Sequence, residues 1–201
     1  VAGLLALLAE QASADRPPRV ALTAPTGKAA ARLQEAVASA AAALPPEDRE
    51  RLGTLQAATL HRLLGSRPDS RTRFRHHRSN RLPHDIVVVD ETSMVSLTMM
   101  ARLIEAVRPD ARLVLVGDPD QLASVEAGAV LADLVGGLGA RDPDSVVALR
   151  TSHRFGARIG ALAAAVRDGD DDTAWSLLTE GGPEIELVDA ETALTQARFS
   201  A

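Results

Sequence analysis

The chain has 201 residues, a formal net charge of −5, no cysteine, three phenylalanines and one tryptophan. The lack of cysteine excludes disulfides, thiolate metal centres and a cysteine nucleophile, and so few aromatic rings leave little for base stacking. No apolar run approaches the roughly eighteen residues a membrane helix needs, and Val1 to Ala9 lacks a basic flank, so a cytoplasmic, non-membrane protein is expected.

Leu4, Leu5, Leu7 and Leu8 read as a helix already under way at Val1, which suggests a fragment. Pro17-Pro18 ends the connection, and Val20 to Thr23 reads as a strand. Gly27 opens an alanine-rich helix from about Ala29 to Leu44, and Pro45-Pro46 with Glu47 to Arg51 reads as a charged surface connection. A short helix is expected around Thr59 to Leu64, stopped by Gly65. From about 66 to 84 the chain concentrates Arg67, Arg71, Arg73, Arg75, Arg78 and Arg81 around His76 and His77, with Pro68 and Pro83, as an inserted loop or hairpin. Such a basic segment is either a solvated loop or a contact for DNA or a partner subunit.

Ile86 to Val89 is a continuous apolar run that stops at Asp90-Glu91, and Leu113 to Val116 stops at Gly117-Asp118-Pro119-Asp120-Gln121. Continuous β-branched runs suit strands buried on both faces, and a following acid must emerge into a crevice rather than a dry core. Between them Leu97, Met100, Leu103, Ile104 and Val107 recur at helical spacing. A helix near Gly128 to Val135, a strand at Val146 to Leu149, helices at Ile159 to Arg167 and around Trp175, and a strand at Ile185 to Val188 complete the reading. Alternating strands and helices predict an α/β fold, a parallel sheet with helices on both faces. In such sheets ligands bind beyond the carboxyl ends of the strands.

Asp90 and Glu91 match the demand of nucleotide hydrolysis for two carboxylates, one holding Mg²⁺ and one directing water. On an extended chain, neighbours point to opposite sides, which would divide those tasks. The ordinary alternative is an acidic turn. Gln121 can donate and accept at once, as a γ-phosphate contact requires. Thr23-Ala24-Pro25-Thr26-Gly27-Lys28 tempts comparison with a phosphate loop, but Leu22 occupies the first glycine position and Ala29 the hydroxyl position of GxxxxGK[ST]. What remains is a helix start carrying the chain's sole lysine, suited to a phosphate of another kind, a nucleic-acid backbone being the best candidate, or else a plain helix cap. Asp168, Asp170, Asp171 and Asp172 lack the spacing and the final glutamate of a calcium loop and read as a solvated helix break.

The segments Leu22 to Arg32, Thr59 to Gly65, Val89 to Val95 and Val116 to Gly128, in this order, closely resemble the superfamily 1 DNA helicases of the RecD type, the exodeoxyribonuclease V alpha subunits and their relatives. The likeness covers about Val20 to Arg154, and 74–85 resembles the RecD insertion. It implies a RecA-like P-loop NTPase fold, with a first motor domain at 1–148 and the beginning of a second at 149–201. It further implies an ATP-dependent helicase on single-stranded DNA, moving 5′ to 3′ and serving double-strand-break repair and recombination beside partner subunits of a helicase–nuclease complex. By resemblance, Asp90 binds Mg²⁺, Glu91 is the catalytic base, Gln121 senses the γ-phosphate and Arg154 reaches ATP from the second domain. Pro25, Thr26, Lys28, Thr59 and His61 fall where the family touches single-stranded DNA, although a histidine such as His61 also serves on a plain helix surface. Ser96 stands where the family commonly has an acid. No phosphate loop and no late motifs are present in 1–201, so this segment alone is expected to be inactive. The alternatives are a stand-alone or relaxase-associated RecD-like helicase, or a non-catalytic module that binds DNA or a partner.

Overall fold

A computed structural model describes residues 2–11, 17–67, 70–119, 121, 130–149 and 156–188. They fall into two compact units, 1–146 and 147–201. The first unit is built on a four-stranded parallel sheet in the order β2-β1-β5-β6. Its strands are β1 (Val20–Ala24), β2 (Ala57–Thr59), β5 (Ile86–Val89) and β6 (Arg112–Leu115). Val20 lies opposite Ile86 and Thr23 opposite Val89, while Val89 lies opposite Leu115, so β1, β5 and β6 end level with one another.

Period-two alternation sorts the strand residues onto two faces. Leu22, Ile86 and Val88 face α1 (Ala2–Glu10), α2 (Gly27–Ala42) and α3 (Pro46–Leu52), where Leu5, Leu33, Val37 and Leu52 complete one core. Ala21, Val87 and Val89 face α4 (Leu60–Leu64) and α5 (Leu97–Ala106), where Leu60, Leu64, Met100 and Leu103 complete the other. Burial on both sides explains why β5 is an unbroken apolar run, each of its valines contributing about 1.5–3 kcal/mol relative to exposure. This is the α/β fold expected, with helices on both faces of a parallel sheet.

The helix starts are set by their caps. Thr26 accepts from the Ala29 N–H at 3.2 Å, Thr59 from the Arg62 N–H at 3.3 Å and Ser96 from the Met99 N–H at 3.3 Å. Serine and aspartate are comparable N-caps, so Ser96 performs locally what an acid there would. Residues 47–51, expected as a connection, belong instead to α3: Pro46 opens the helix, Glu47 and Asp48 lie in its first turn, Arg49 and Arg51 in its last, and Leu52 is buried.

The basic insertion opens with an antiparallel hairpin, β3 (Ser66–Arg67) and β4 (Ser70–Phe74). Gly65 enters it at φ 74°, and a Cβ on Gly65 would lie 2.8 Å from Arg75 Cβ, so glycine is required there. The His76 N–H donates to the Leu64 carbonyl at 2.9 Å, and Leu82 N–H donates to the Ala106 carbonyl at 2.8 Å, tying both ends of the insertion to the core. The sheet's amino end is held by Asp85, whose carboxylate accepts from the Arg19 N–H at 2.9 Å and from Arg108 at 2.6 Å.

Beyond β6 the first unit carries α6 (Val130–Arg141) and a short 3₁₀ turn, Pro143–Ser145. Val146 to Leu149, expected as a strand, pairs with no strand among the described residues: Val147 and Leu149 are 81% and 93% exposed, and a strand needs a neighbour for its backbone groups. The second unit contains α7 (Ala157–Asp168) and α8 (Asp171–Glu180). Asp170 caps α8 by accepting from the Thr173 N–H at 3.0 Å, which gives the acidic break a structural role. Ile185 to Val188 is not a strand either; Ile185 closes a tight turn onto Gly182.

Candidate nucleotide and nucleic-acid site

Three polar strand ends converge at the carboxyl edge of the sheet. The Asp90 N–H donates to the Thr23 carbonyl at 2.8 Å, carrying β5 pairing with β1 one residue past Val89. The Val116 N–H donates to the Val89 carbonyl at 2.8 Å, and the Thr92 N–H returns to the Val116 carbonyl at 3.0 Å. The turn after Asp90 is thereby stitched to the end of β6. Thr92 is fully buried, with its hydroxyl donating to the Val89 carbonyl at 3.0 Å.

Glu91 is not extended, contrary to the sequence reading. It has φ 51° and ψ 42°, the one left-handed non-glycine residue among those described. For an L-residue this conformation costs about 1–2 kcal/mol, and glutamate is not among the residues that tolerate it locally. Asp90 and Glu91 are therefore separated by a sharp backbone reversal rather than by strand alternation, and a short 3₁₀ turn, Thr92–Met94, follows. Both acids are half-buried, and among the described residues neither carboxylate has a hydrogen-bond or ion-pair partner.

Gly117 makes the close approach of the two loops possible. A Cβ there would lie 3.0 Å from Thr92 N and 3.2 Å from Ser93 N, both backbone atoms, and 2.9 Å from Leu131 Cδ2. The sequence marks this glycine only as part of a turn; the contact it makes with the acidic loop has no signature in the chain. Gln121 lies on the loop beyond it, with an exposed side chain and its N–H 3.4 Å from the Asp118 carbonyl. Arg154 and Asp120 lie outside the described residues.

The second group of sequence candidates lies at the same edge of the sheet, across β1 and β2. Ala24 is level with Thr59, so the two strands deliver Pro25-Thr26 and Thr59 side by side. Both threonines use a lone pair to cap the following helix, which leaves each hydroxyl hydrogen available to a ligand. Thr26, Gly27 and Lys28 are exposed, and a Cβ on Gly27 would meet nothing within 4 Å, so bare backbone is presented outward at the start of α2. His61 is exposed and packs edge-on against Phe74, with ring centroids 5.9 Å apart, joining α4 to the basic hairpin.

Among the described residues no three His, Cys, Asp or Glu side chains form a metal cage. This suits Mg²⁺, which is held by one or two carboxylates with waters and phosphates rather than by a dedicated protein cage. The unpaired Asp90 carboxylate fits such an ion.

A model of the AAA domain matches residues 3–187. The chain belongs to the AAA domain family. Its α/β architecture is that of the RecA-like P-loop NTPases. The RecBCD enzyme subunit RecD of Mycolicibacterium smegmatis is 70% identical over 190 residues, covering 94% of this chain and 34% of that protein. The subunit of the same name from Mycobacterium tuberculosis is 64% identical over 200 residues, covering 98% of this chain and 34% of that protein. The ATP-dependent RecD2 DNA helicase of Deinococcus radiodurans is 43% identical over 115 residues, covering 57% of this chain and 13% of that protein. These likenesses agree with the RecD-type resemblance read from the motifs. The chain spans about a third of the length of the two RecD subunits. Among the described residues, no helix is long and apolar enough to cross a membrane.

Proposed function

We propose that this chain carries the nucleotide-hydrolysing and DNA-gripping core of an ATP-dependent, RecD-type DNA helicase, acting as the alpha subunit of exodeoxyribonuclease V beside partner subunits in the cytoplasm. The observation that carries the proposal is the pair of unpartnered acids, Asp90 and Glu91, fixed in a strained turn at the sheet edge that also presents Thr26, Lys28 and Thr59. Strain at a backbone position persists where surrounding structure over-determines it, and such positions cluster at active sites. Two carboxylates with no cation of the described protein beside them are open to a cationic ligand such as Mg²⁺.

In this reading Asp90 would hold Mg²⁺, which when bound would supply positive charge against the phosphates of the nucleotide. Glu91, turned away from Asp90 by the left-handed backbone, orients and deprotonates the attacking water. Gln121 contacts the γ-phosphate from the loop whose root at Gly117 touches Thr92 and Ser93, so loss of that phosphate is felt across both loops. Residues 1–148 form the first motor domain with 149–201 beginning a second, whose Arg154 stabilises charge in the transition state. Residues 23–28 do not make a phosphate loop, and a RecD-type enzyme carries that loop on another segment. Pro25, Thr26, Lys28, Thr59 and His61 bind the single strand, with 5′ to 3′ movement supported by resemblance.

Glu91→Gln in the full-length protein tests the central assignment. DNA-stimulated ATP hydrolysis should fall by about 10²–10⁴-fold while nucleotide and single-strand binding persist. Normal turnover would remove Glu91 from this role, and comparison of unwinding on 5′-tailed and 3′-tailed duplexes tests direction.

A further inference from the structure

Strand β2 is a weak element. It is Ala-Ala-Thr, half-buried, paired with β1 on one side, and built from residues of which only threonine favours strands. Yet it delivers Thr59 and α4 to the same edge as Thr26 and Lys28. Its other support comes from α2. Gln34 donates from Nε2 to the Leu55 carbonyl at 2.8 Å, and its Oε1 accepts from the Ala57 N–H at 2.5 Å.

These two groups flank Gln56, and in a parallel ladder a single residue of the neighbouring strand would bond both, donating to one and accepting from the other. The side-chain amide of Gln34 supplies the same donor and acceptor. It stands where another strand would stand, covers part of an edge that would otherwise present unpaired groups, and grips the chain just before Thr59. On α2, Gln34 lies six residues beyond Lys28, about 9 Å along the helix axis. One rigid helix therefore carries Lys28 at its exposed start and the clamp on β2 in its middle.

We propose that Gln34 is a positioning residue for single-stranded DNA. Acting as a surrogate strand, it locks β2 to α2 so that Thr26 and Lys28 on one side, and Thr59 and His61 on the other, form one surface of fixed spacing. This rests on the DNA-binding reading above. Gln34 touches neither DNA nor nucleotide; its effect is exerted through the backbone of Leu55 and Ala57. Glutamine alone among residues of its length offers both a neutral donor and an acceptor, so the same shape with either group removed should loosen the clamp.

The test uses full-length protein and oligothymidylate, with ATP hydrolysis followed against DNA concentration. Gln34→Met keeps length and loses both bonds; Gln34→Glu keeps the acceptor for the Ala57 N–H and loses the donor. Gln34→Met should raise the DNA concentration for half-maximal stimulation by about tenfold, the equivalent of one to two net hydrogen bonds, with kcat at saturating DNA unchanged. Gln34→Glu should fall between it and the parent, and amide exchange at Ala57 should quicken in the same order. Lys28→Ala serves as a reference for the DNA surface itself. If Lys28→Ala weakens DNA stimulation and Gln34→Met does not, the positioning role is overturned while the DNA reading stands. If neither has an effect, the DNA surface has been misassigned and this inference falls with it. A drop in kcat at saturating DNA, with no change in the DNA concentration for half-maximal stimulation, would make Gln34 a general structural residue and also overturn the proposal.

Discussion

Replacing Gly117 by alanine adds one methyl group at the junction of the two acidic loops, and the structure fixes what that methyl must meet. It would lie 2.9 Å from Leu131 Cδ2, the free end of a side chain that can rotate away. It would also lie 3.0 Å and 3.2 Å from the backbone nitrogens of Thr92 and Ser93, which cannot move independently. Thr92 is held by its N–H bond to the Val116 carbonyl at 3.0 Å and by its buried hydroxyl on the Val89 carbonyl, and it immediately follows the left-handed Glu91. Relief therefore requires the turn to lift, at a cost of about 1–3 kcal/mol typical of overpacking. The same substitution at Gly136, inside α6 with nothing within 4 Å of the new Cβ, should stabilise by about 0.5–1 kcal/mol through helix propensity. Amide exchange read at Thr92 in the full-length protein separates these cases. Exchange should quicken by about ten- to a hundredfold in Gly117→Ala and remain unchanged in Gly136→Ala. ATP turnover should fall with Gly117→Ala because Glu91 moves with the turn. Unchanged Thr92 protection in Gly117→Ala would refute the argument that the loops are in obligatory contact.

Glu91→Gly should relieve the left-handed strain, adding about 0.5–1 kcal/mol of stability after the entropic penalty of glycine, while abolishing hydrolysis; a variant that lost stability would show the backbone to be unstrained. Changing Arg71, Arg73 and Arg75 together to alanine should flatten the salt dependence of single-strand binding by roughly 0.7 in log–log slope for each phosphate no longer neutralised, and an identical slope would reject phosphate binding by the insertion. His84 is held below its ordinary value, first by burial and then by the charges of Arg19, His76 and Arg108, against an opposing pull from Asp85. The fold thus prefers neutral His84, and its contribution to stability is complete above the unfolded value of about 6.5 and lost as pH falls below it. For Asp85, burial raises the carboxyl's affinity for a proton, but the Arg19 N–H and the Arg108 and Arg19 side chains outweigh it and set a net downward shift, so its share is present above about 3.9 and lost at lower pH. Urea unfolding at pH 7.5 and 5.5 should show a smaller pH effect in His84→Gln than in the parent; equal effects would place the sensitivity elsewhere.

The strands β1 and β5 were legible because burial on both faces demands continuous apolar runs, and no other local pattern in the chain competes with Ile-Val-Val-Val before an acid; β6, only partly buried, was legible from its own apolar run before Gly117. Strand β2 was not, since Ala-Ala-Thr takes its conformation from β1 and from Gln34 rather than from its own preference. Helix α3 was obscured by its charges, which serve as end groups for a short helix whose one buried anchor is Leu52. Val146 to Leu149 misled for the opposite reason: apolar β-branched residues state a preference, but pairing depends on a neighbour that the sequence pattern does not specify. At the site, residue types were legible and backbone geometry was not. Nothing about a glutamate after an aspartate announces a left-handed turn, and the glycine that packs against the residues just after it, Gly117, lies twenty-six residues on in the chain.

Strand β5 is bracketed by two aspartates whose surroundings differ in kind. Asp85, at its start, is surrounded by donors: the Arg19 backbone and guanidinium and the Arg108 guanidinium satisfy it, and its own carbonyl accepts from the Arg112 N–H at 2.9 Å. Asp90, at its end, has a fixed backbone and, among the described residues, no partner for its carboxylate, and the next residue is strained. A charge matched within the protein serves folding, because separating it costs more than the pair contributes. A carboxylate without a partner in its own protein is instead open to a ligand, which is the role proposed for Asp90. The same sheet therefore divides its labour by polarity, closing the amino edge with internal ion pairs and leaving the carboxyl edge electrostatically incomplete. On that division the missing countercharge is a cation, the role proposed above for Mg²⁺, and cation binding should stabilise the turn around Glu91 before any chemistry begins.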